Sequence, residues 1–283
     1  MSILDRTAGK IVFLDVDGTY AHHGVVPPAH AAVVAAARAA GNRVLLCTGR
    51  PLAMLPPHVL AAGFDGIVAS AGGYVEVDGQ VLEDLRYPAP LAARTVAALD
   101  RADAAYILEA PTALYGRPGV DERMRVELAG HLRDPGRRDD EGPGDIFRSL
   151  VMTDDLSSCS FAKITYFAST APWEELAEEI GDQVYVLPSS ISGMGASAGE
   201  IQMTGVHKAL GIEVVVARLG AGPQDVVAVG DGLNDLEMLA YAGTSVAIEG
   251  ADPRVLAVAG HVAAGPQDEG LVDAFRMLGL VPA

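Results

Sequence analysis

Short apolar segments recur along the chain, several followed by a polar cluster: the continuous run Ile11-Val-Phe-Leu14, and the strand-like stretches Arg43 to Cys47, Gly66 to Ser70 and Val226 to Val229. A continuous run of this length is the pattern of a strand buried on both faces. Between the first two, Ala29 to Ala40 is apolar all round and stops at Gly41, which predicts a buried helix with a glycine just past its end. Strand, helix, strand repeated in this way predicts a parallel, doubly wound sheet. Tyr74–Val77 and Val81–Asp84 flank Asp78-Gly79 and read as a β-hairpin. Thr244–Ile248 and His261–Ala263 add short strands, and a helix from about Asp268 closes the chain.

The pattern changes from about Tyr87 to Pro188. There it predicts helices (Pro90–Arg101, Val120–Leu132, Ala171–Ile180) among isolated strands (Ala105–Glu109, Phe161–Phe167, Gln183–Leu187). Asp134 to Asp145 is rich in Gly, Pro and charge and reads as a mobile loop. Parallel-sheet logic returns with Glu200–Met203, which leads to a helix containing Lys208. The expected fold is therefore a Rossmann-like α/β core, residues 1–86 and 189–283, interrupted by an inserted α+β domain, residues 87–188.

Composition narrows the partners. The 283 residues carry a formal charge of −17, which repels nucleic acid and anionic lipid, so neither is an expected partner. The same charge repels a phosphorylated substrate, and phosphate chemistry here needs a local source of positive charge. No apolar run approaches the roughly 20 residues that span a bilayer, and Met1 to Lys10 lacks the apolar core of a signal peptide. A cytoplasmic protein is expected. Cys47 and Cys159 belong to no CxxC pair and read as buried thiols.

Three polar clusters each follow an apolar strand: Asp15-Val-Asp17-Gly-Thr19, Thr48-Gly49-Arg50 and Asp231-Gly-Leu-Asn234-Asp235. In open α/β sheets ligands bind beyond the carboxyl ends of the strands, so these loops can converge. A hard cation such as Mg²⁺ takes oxygen ligands, and Asp15 and Asp231 can supply carboxylates. Gly18 lets the chain turn just after Asp17, so one of the pair Asp15 and Asp17 can attack in line while the other lies beside the leaving oxygen. A carboxylate is a weak nucleophile, and a metal must draw it and the phosphate together. Lys208 would add a second positive charge, and Thr48 a hydroxyl donor to a phosphate oxygen.

These motifs together resemble the haloacid dehalogenase superfamily, in its Cof-type branch with a large α/β cap. Asp15-Val-Asp17-Gly-Thr19 is similar to the family's first motif, Thr48-Gly49-Arg50 to the second, Lys208 with its surroundings to the third, and Gly230-Asp231-Gly-Leu-Asn234-Asp235 to the fourth. All four stand in the family's order, with the insertion between the second and third. The resemblance implies a phosphatase in which Asp15 is nucleophile and metal ligand and Asp17 is the acid/base, binding metal through its backbone carbonyl. It also implies that Asp231 completes a Mg²⁺ site and that Thr48, Gly49, Lys208 and Asn234 hold the phosphate. Asp235 would support Lys208 or a metal water. The expected substrate is a small phosphorylated metabolite, sugar phosphates first. Tyr20 and Ser70-Ala-Gly-Gly73 depart from the family pattern, and both are expected near the substrate entrance.

Other readings stand beside these. Arg50 reads equally as a substrate contact or as the partner of a surface acid. His22 and His23 are adjacent, so they rarely face one ligand and read as a solvated loop; His207 should point away from Lys208. The acidic tract Trp173 to Glu179 reads as a solvated helix face. A phosphotransferase or sugar-phosphate mutase would carry the same motifs. A binding protein on an inactive enzyme fold would be marked by a lost carboxylate, whereas Asp15, Asp17 and Asp231 are all present. The sequence leaves oligomeric state open.

Overall fold

Burial on both faces is what the run Ile11–Leu14 requires, and all four residues are buried. The structure is a computed structural model describing residues 9–129, 144–189 and 195–282. Along the chain the first elements are β1 (Ile11–Leu14), α1 (Pro28–Ala39), β2 (Arg43–Cys47), a one-turn α2 (Pro57–Leu60), β3 (Gly66–Ala69), β4 (Tyr74–Val77) and β5 (Gln80–Asp84). Next come α3 (Ala89–Arg101), β6 (Ala105–Glu109), β7 (Leu114–Gly116), α4 (Val120–Leu128), α5 (Gly144–Arg148), β8 (Leu150–Met152), β9 (Lys163–Phe167), α6 (Trp173–Ile180), β10 (Val184–Pro188) and β11 (Gly199–Met203). The last are α7 (Lys208–Leu219), β12 (Val226–Gly230), α8 (Leu236–Tyr241), β13 (Thr244–Ile248), α9 (Pro253–Val258), β14 (His261–Ala263) and α10 (Gly270–Met277).

The chain divides into two units, the first comprising residues 1–49, 56–83 and 207–283, the second residues 50–55 and 84–206. In the first unit an eight-stranded sheet runs in the order β14-β13-β12-β1-β2-β3-β4-β5. From β14 to β3 every neighbouring pair is parallel. The β4–β5 hairpin extends the far edge; Asp78 and Gly79 at its turn both have positive φ (51° and 74°), as a tight two-residue turn demands. Ile11, Phe13, Leu45, Cys47, Val226 and Ala228 share a core with Ile212, Val215, Met238, Leu239 and Val255 of α7, α8 and α9. The alternate side chains Val12, Leu14, Val44, Leu46, Val227 and Val229 are buried as well. β1 lies between β2, next in sequence, and β12, which arrives more than 200 residues later. The strand order therefore switches direction beside β1, the place where such sheets bind ligands.

The second unit holds a six-stranded sheet in the order β10-β11-β9-β6-β7-β8. It is antiparallel except for the β7–β8 pair. One face packs Tyr106, Leu108, Ile164, Tyr166 and Ile201 against Leu91, Leu99, Leu176 and Ile180 of α3 and α6. Part of the other face, with Ile107, Leu114 and Phe167, packs on Val120, Met124 and Leu128 of α4.

Two details differ from the sequence reading. The strand at Glu200 belongs to this second sheet, paired antiparallel with β10 and β9, so the second unit runs on to Val206 and also takes in residues 50–55. The short strands β7 and β8 escape a periodicity reading because three residues carry too little pattern. Of the segment read as a mobile loop, residues 134–143 lie outside the described residues, while Gly144 and Asp145 open α5. Among the described residues no helix is long and apolar enough to cross a membrane. Cys47 is buried, and burial raises its thiol pKa; Cys159 is only half-buried.

Candidate active site

β1 and β12 are parallel neighbours with Leu14 opposite Val229, and the Asp15 amide donates to the Val229 carbonyl (3.0 Å). The two acidic loops therefore leave the sheet side by side. Asp15 is buried at 6% exposure. The chain then turns through Gly18 at φ +88°, and a side chain there would put its Cβ 2.3 Å from Asp231 Oδ2. Gly18 is thus required twice, by its backbone angle and by the closeness of Asp231. Thr19 Oγ1 donates to Asp231 Oδ1 (2.7 Å) and fastens the first motif to the last.

Lys208 opens α7 and is fully buried. Its Nζ donates to Asp15 Oδ1 at 2.6 Å and to Asp235 Oδ1 at 2.5 Å. Burial and the positive end of the helix both oppose an ammonium here. The carboxylates of Asp15 and Asp235 more than offset this and raise the Lys208 pKa above its usual range. The other oxygen of Asp235 accepts from the Asp231 and Gly232 amides (3.0 and 2.8 Å). Gly230 has no room for a side chain, since its Cβ would fall 2.5 Å from Asp235 Cγ.

Carboxylate oxygens of Asp15, Asp231 and Asp235 lie within 4.8 Å of one another. The hydrogen bonds above use both oxygens of Asp235 but one each of Asp15 and Asp231. Asp15 and Asp231 are therefore the carboxylates with an oxygen to offer a cation. Burial raises the pKa of both, that of Asp231 to about 6, and their acidic neighbours add to the shift. Two buried carboxyl groups, each with an oxygen to offer, are an oxygen-only donor set that fits a hard divalent ion. Asp17 is exposed, and its carboxylate is not one of the three.

Thr48, 1% exposed, directly follows β2, its amide donating to Val68 O (2.8 Å). Gly49 lies beside Asn234, whose Nδ2 would stand 3.4 Å from a Cβ at that glycine. The second motif and the exposed Asn234 therefore meet. Arg50 falls in the second unit, where its guanidinium donates to the Met54 carbonyl (3.3 Å). His22 and His23 are exposed with ring centroids 4.1 Å apart, outside the carboxylate cluster. His207 caps α7, its Nδ1 accepting from the Leu210 amide (3.2 Å). The glutamates of the acidic tract are exposed, as a solvated face requires.

The departures from the family pattern are not both surface features of an entrance. Tyr20 is fully buried, 6.4 Å from the His30 ring and edge-on to Phe64 at 5.4 Å, so its role is packing. Ser70 and Ala71 are buried in left-handed conformations (φ 49° and 51°). The Ala71 amide donates to Thr48 O (3.0 Å), and Gly72 abuts the His207 carbonyl so closely that a Cβ would lie 2.1 Å from it. This turn holds Thr48 and the start of α7 in one place, a link that no sequence pattern announces.

The model of a family described as haloacid dehalogenase-like hydrolase matches residues 12–275. A Bacillus subtilis (strain 168) protein named as a phosphatase, YkrA, is 28% identical over 277 residues, covering 96% of this chain and 98% of that protein. Among solved structures, a hypothetical protein of Geobacillus kaustophilus HTA426 superposes with a TM-score of 0.81 at 23% identity, over 96% of this chain and 100% of the other. A subclass IIB sugar phosphatase of the haloacid dehalogenase superfamily gives 0.76 at 21% identity, over 96% and 100%. At these identities the two structures speak for a shared fold.

Proposed function

The chain belongs to the haloacid dehalogenase-like hydrolases and is therefore an enzyme, and we propose that it is a Mg²⁺-dependent phosphatase of small phosphate monoesters, sugar phosphates foremost, working through an aspartyl-phosphate on Asp15. The observation that carries this reading is the meeting of Asp15, Asp231, Asp235 and Lys208 at the ends of β1 and β12 and the start of α7.

Asp15 attacks phosphorus; a bond forms from its carboxylate oxygen as the bond to the leaving oxygen breaks. Asp17 gives that leaving oxygen a proton. Asp17 then removes a proton from water, the water oxygen bonds to phosphorus, and the bond to Asp15 breaks to release inorganic phosphate. Lys208 keeps Asp15 oriented and offsets charge gathering on the phosphoryl oxygens. Thr48, Gly49 and Asn234 bind those oxygens. A Mg²⁺ ion held by Asp15, Asp231 and the Asp17 carbonyl would supply the remaining positive charge and draw phosphate against a weak nucleophile. Asp235 positions Lys208 and the Asp231 loop. Arg50, whose guanidinium donates to the Met54 carbonyl, supports the site as a substrate contact or as the partner of a surface acid. The four motifs address only the phosphoryl group, so choice of the leaving group falls to residues outside them. The sugar phosphatase among the similar solved structures favours sugar phosphates.

The test is phosphate release by purified protein from hexose phosphates, nucleoside monophosphates, a phosphopeptide and a 5′-phosphorylated oligonucleotide, with Mg²⁺ and after chelation. Release from a small monoester without an added acceptor, lost on chelation and lost in a folded Asp15→Asn variant, is expected. Near-normal release by Asp15→Asn would refute the covalent route, and unchanged activity after exhaustive chelation would refute the metal requirement.

A further inference from the structure

In the first unit's sheet, the registered neighbours Leu14, Leu46, Ile67 and Glu76 form one row across β1, β2, β3 and β4 and share a face. It is the face opposite Phe13, Leu45 and Val68, which pack on the α7, α8 and α9 side. Leu14 and Leu46 are fully buried, and α1 lies against β2. Over β3 the wall on this side comes from the single turn of α2 and the loop to Gly66, which supply Leu60 and Phe64. Ile67 and Glu76 are accordingly only half-buried. A half-open cavity of about 370 Å³ is left beside them, with Leu60, Phe64 and Ile67 as its apolar wall. It lies at the amino end of β3, since Asp65 and Gly66 line it, whereas Asp15 and Thr48 follow the carboxyl ends of β1 and β2.

The carboxylates that line this cavity are unevenly paired. Arg38 Nε and Nη2 donate to the two oxygens of Asp65 (3.0 and 2.8 Å), and Asp65 Oδ2 accepts from the Val44 amide as well (2.8 Å). Asp78 has both oxygens on Nη1 of Arg43 (2.8 and 3.0 Å). Glu76 differs. Its Oε2 accepts from the Tyr74 hydroxyl (2.8 Å), a neutral donor. Among the described residues no cation pairs with it, and its Oε1 has no hydrogen bond. One uncompensated carboxylate therefore stands beside an apolar wall, in a hollow whose other charges cancel in pairs.

We propose that this cavity binds a small organic amine, its ammonium on Glu76 Oε1 and its apolar body against Ile67, Phe64 and Leu60. A charge-assisted hydrogen bond between ammonium and carboxylate is strong, and apolar walls lower the screening around it. The apolar body removes from water the surface that the short α2 leaves wet. Other classes of ligand fit less well. An anion would meet Glu76, while the guanidinium of Arg38 is committed to Asp65. A divalent metal ion takes several oxygen ligands, and one free carboxylate oxygen does not supply them. A stretch of polypeptide needs a longer groove, whereas about 370 Å³ sits at the small end of ligand cavities, which run from roughly 300 to 1,000 Å³. The net charge of −17 also raises the concentration of cations around the protein. None of the lining residues belongs to the four motifs, so the site stands whether or not the phosphatase reading does.

The experiment titrates the full chain, wild-type and Glu76→Gln, with three probes of one shape and different charge: phenethylamine, the neutral phenethyl alcohol and the anionic phenylacetate. Backbone amide shifts in heteronuclear NMR locate binding, and calorimetry gives the affinity. Phenethylamine should produce saturable shifts at the amides of Phe64, Gly66, Ile67 and Gly79, and should bind about tenfold or more tightly than the alcohol. Glu76→Gln keeps an acceptor for the Tyr74 hydroxyl and removes the charge. It should weaken the amine about tenfold or more and leave the alcohol nearly unchanged. The proposal is overturned if phenethylamine at up to about 10 mM leaves these amides unmoved or shifts only those around Asp15 and Asp231. It is overturned equally if the alcohol or phenylacetate binds as tightly as the amine, or if Glu76→Gln binds the amine as wild-type does. Should Glu76→Gln fail to fold by circular dichroism, the wild-type shift map and the order of the three probes decide alone.

Discussion

Asp235 has both carboxylate oxygens engaged, one on Lys208 and one on the amides of Asp231 and Gly232. Asp235→Asn must turn an NH₂ toward one of these donor groups and leaves a buried ammonium with a single carboxylate. Breaking a buried pair in this way costs about 3–5 kcal/mol, which urea denaturation should register. A loss below about 1 kcal/mol would mean that Lys208 does not depend on Asp235. Gly18→Ala acts on geometry instead of charge. Its Cβ would have to displace Asp231 from 2.3 Å, so a higher Mg²⁺ requirement and at least a tenfold lower kcat are expected. A Mg²⁺ titration that superimposes on wild-type would show that the loop absorbs the methyl group without moving the carboxylate. The sequence already made Asp15, Asp17, Thr48, Lys208 and Asp231 candidates, because each type suits its chemistry and stands after a buried strand or in the motif. What it could not disclose is that Gly18 and Thr19 press against Asp231 from 212 positions away in the case of Thr19. That contact is a product of β1 and β12 lying side by side, and local pattern carries no record of it.

α1 is tied to its surroundings by one histidine whose tautomer is settled on both sides. His30 is fully buried; its Nε2 accepts from the Leu271 amide of α10 at 3.3 Å, so its Nδ1 carries the proton that meets Tyr20 O at 3.0 Å. Burial lowers its pKa below the ordinary 6.5, although the Tyr20 carbonyl and Glu269 act in the other direction. The unfolded chain therefore takes up a proton at a higher pH than the folded one. The contribution of His30 to stability is complete above pH 6.5 and is lost as pH falls from there toward the folded value. The stability difference between wild-type and His30→Gln should shrink between pH 7.5 and 5; a flat difference in urea midpoints would show that His30 does not titrate in this window. Elements were legible in proportion to their pattern. β1, β12 and β2 from Val44 onward are unbroken apolar runs, as two-sided burial requires, and their placement in a parallel sheet followed from that. β11 was read as one of them, yet Glu200 and Gln202 alternate with Gly199, Ile201 and Met203. Such alternation is the mark of an antiparallel strand with one polar face, and it was the available sign that the second sheet extends past Pro188.

On the scale of the whole molecule, each unit carries its own apolar core, around Phe13 and Leu45 in one and around Leu99 and Phe161 in the other. The molecule also carries one overall property that neither core explains, its charge. Lys and Arg number 20 against 37 Asp and Glu, a formal −17. On the proposed reading, a phosphate monoester approaching this protein would be repelled at long range and attracted only locally, by Lys208 and a cation held at the carboxylates. These two effects respond differently to salt. The Debye length falls from about 30 Å at 0.01 M to about 10 Å at 0.1 M, so added salt removes the distant repulsion first. Contacts of a few ångström inside a buried site are screened much less. Encounter should therefore quicken as salt rises, the reverse of the usual electrostatically steered enzyme. With Mg²⁺ held saturating at every point, since salt also weakens attraction of the cation, kcat/KM for a small phosphate monoester is expected to rise about twofold or more between 10 and 150 mM NaCl. kcat should stay nearly level, because the bound complex has already crossed the repulsive field. A kcat/KM that falls steadily over the same range would mean that the local positive charge governs approach from the outset and that the net charge has no part in substrate capture.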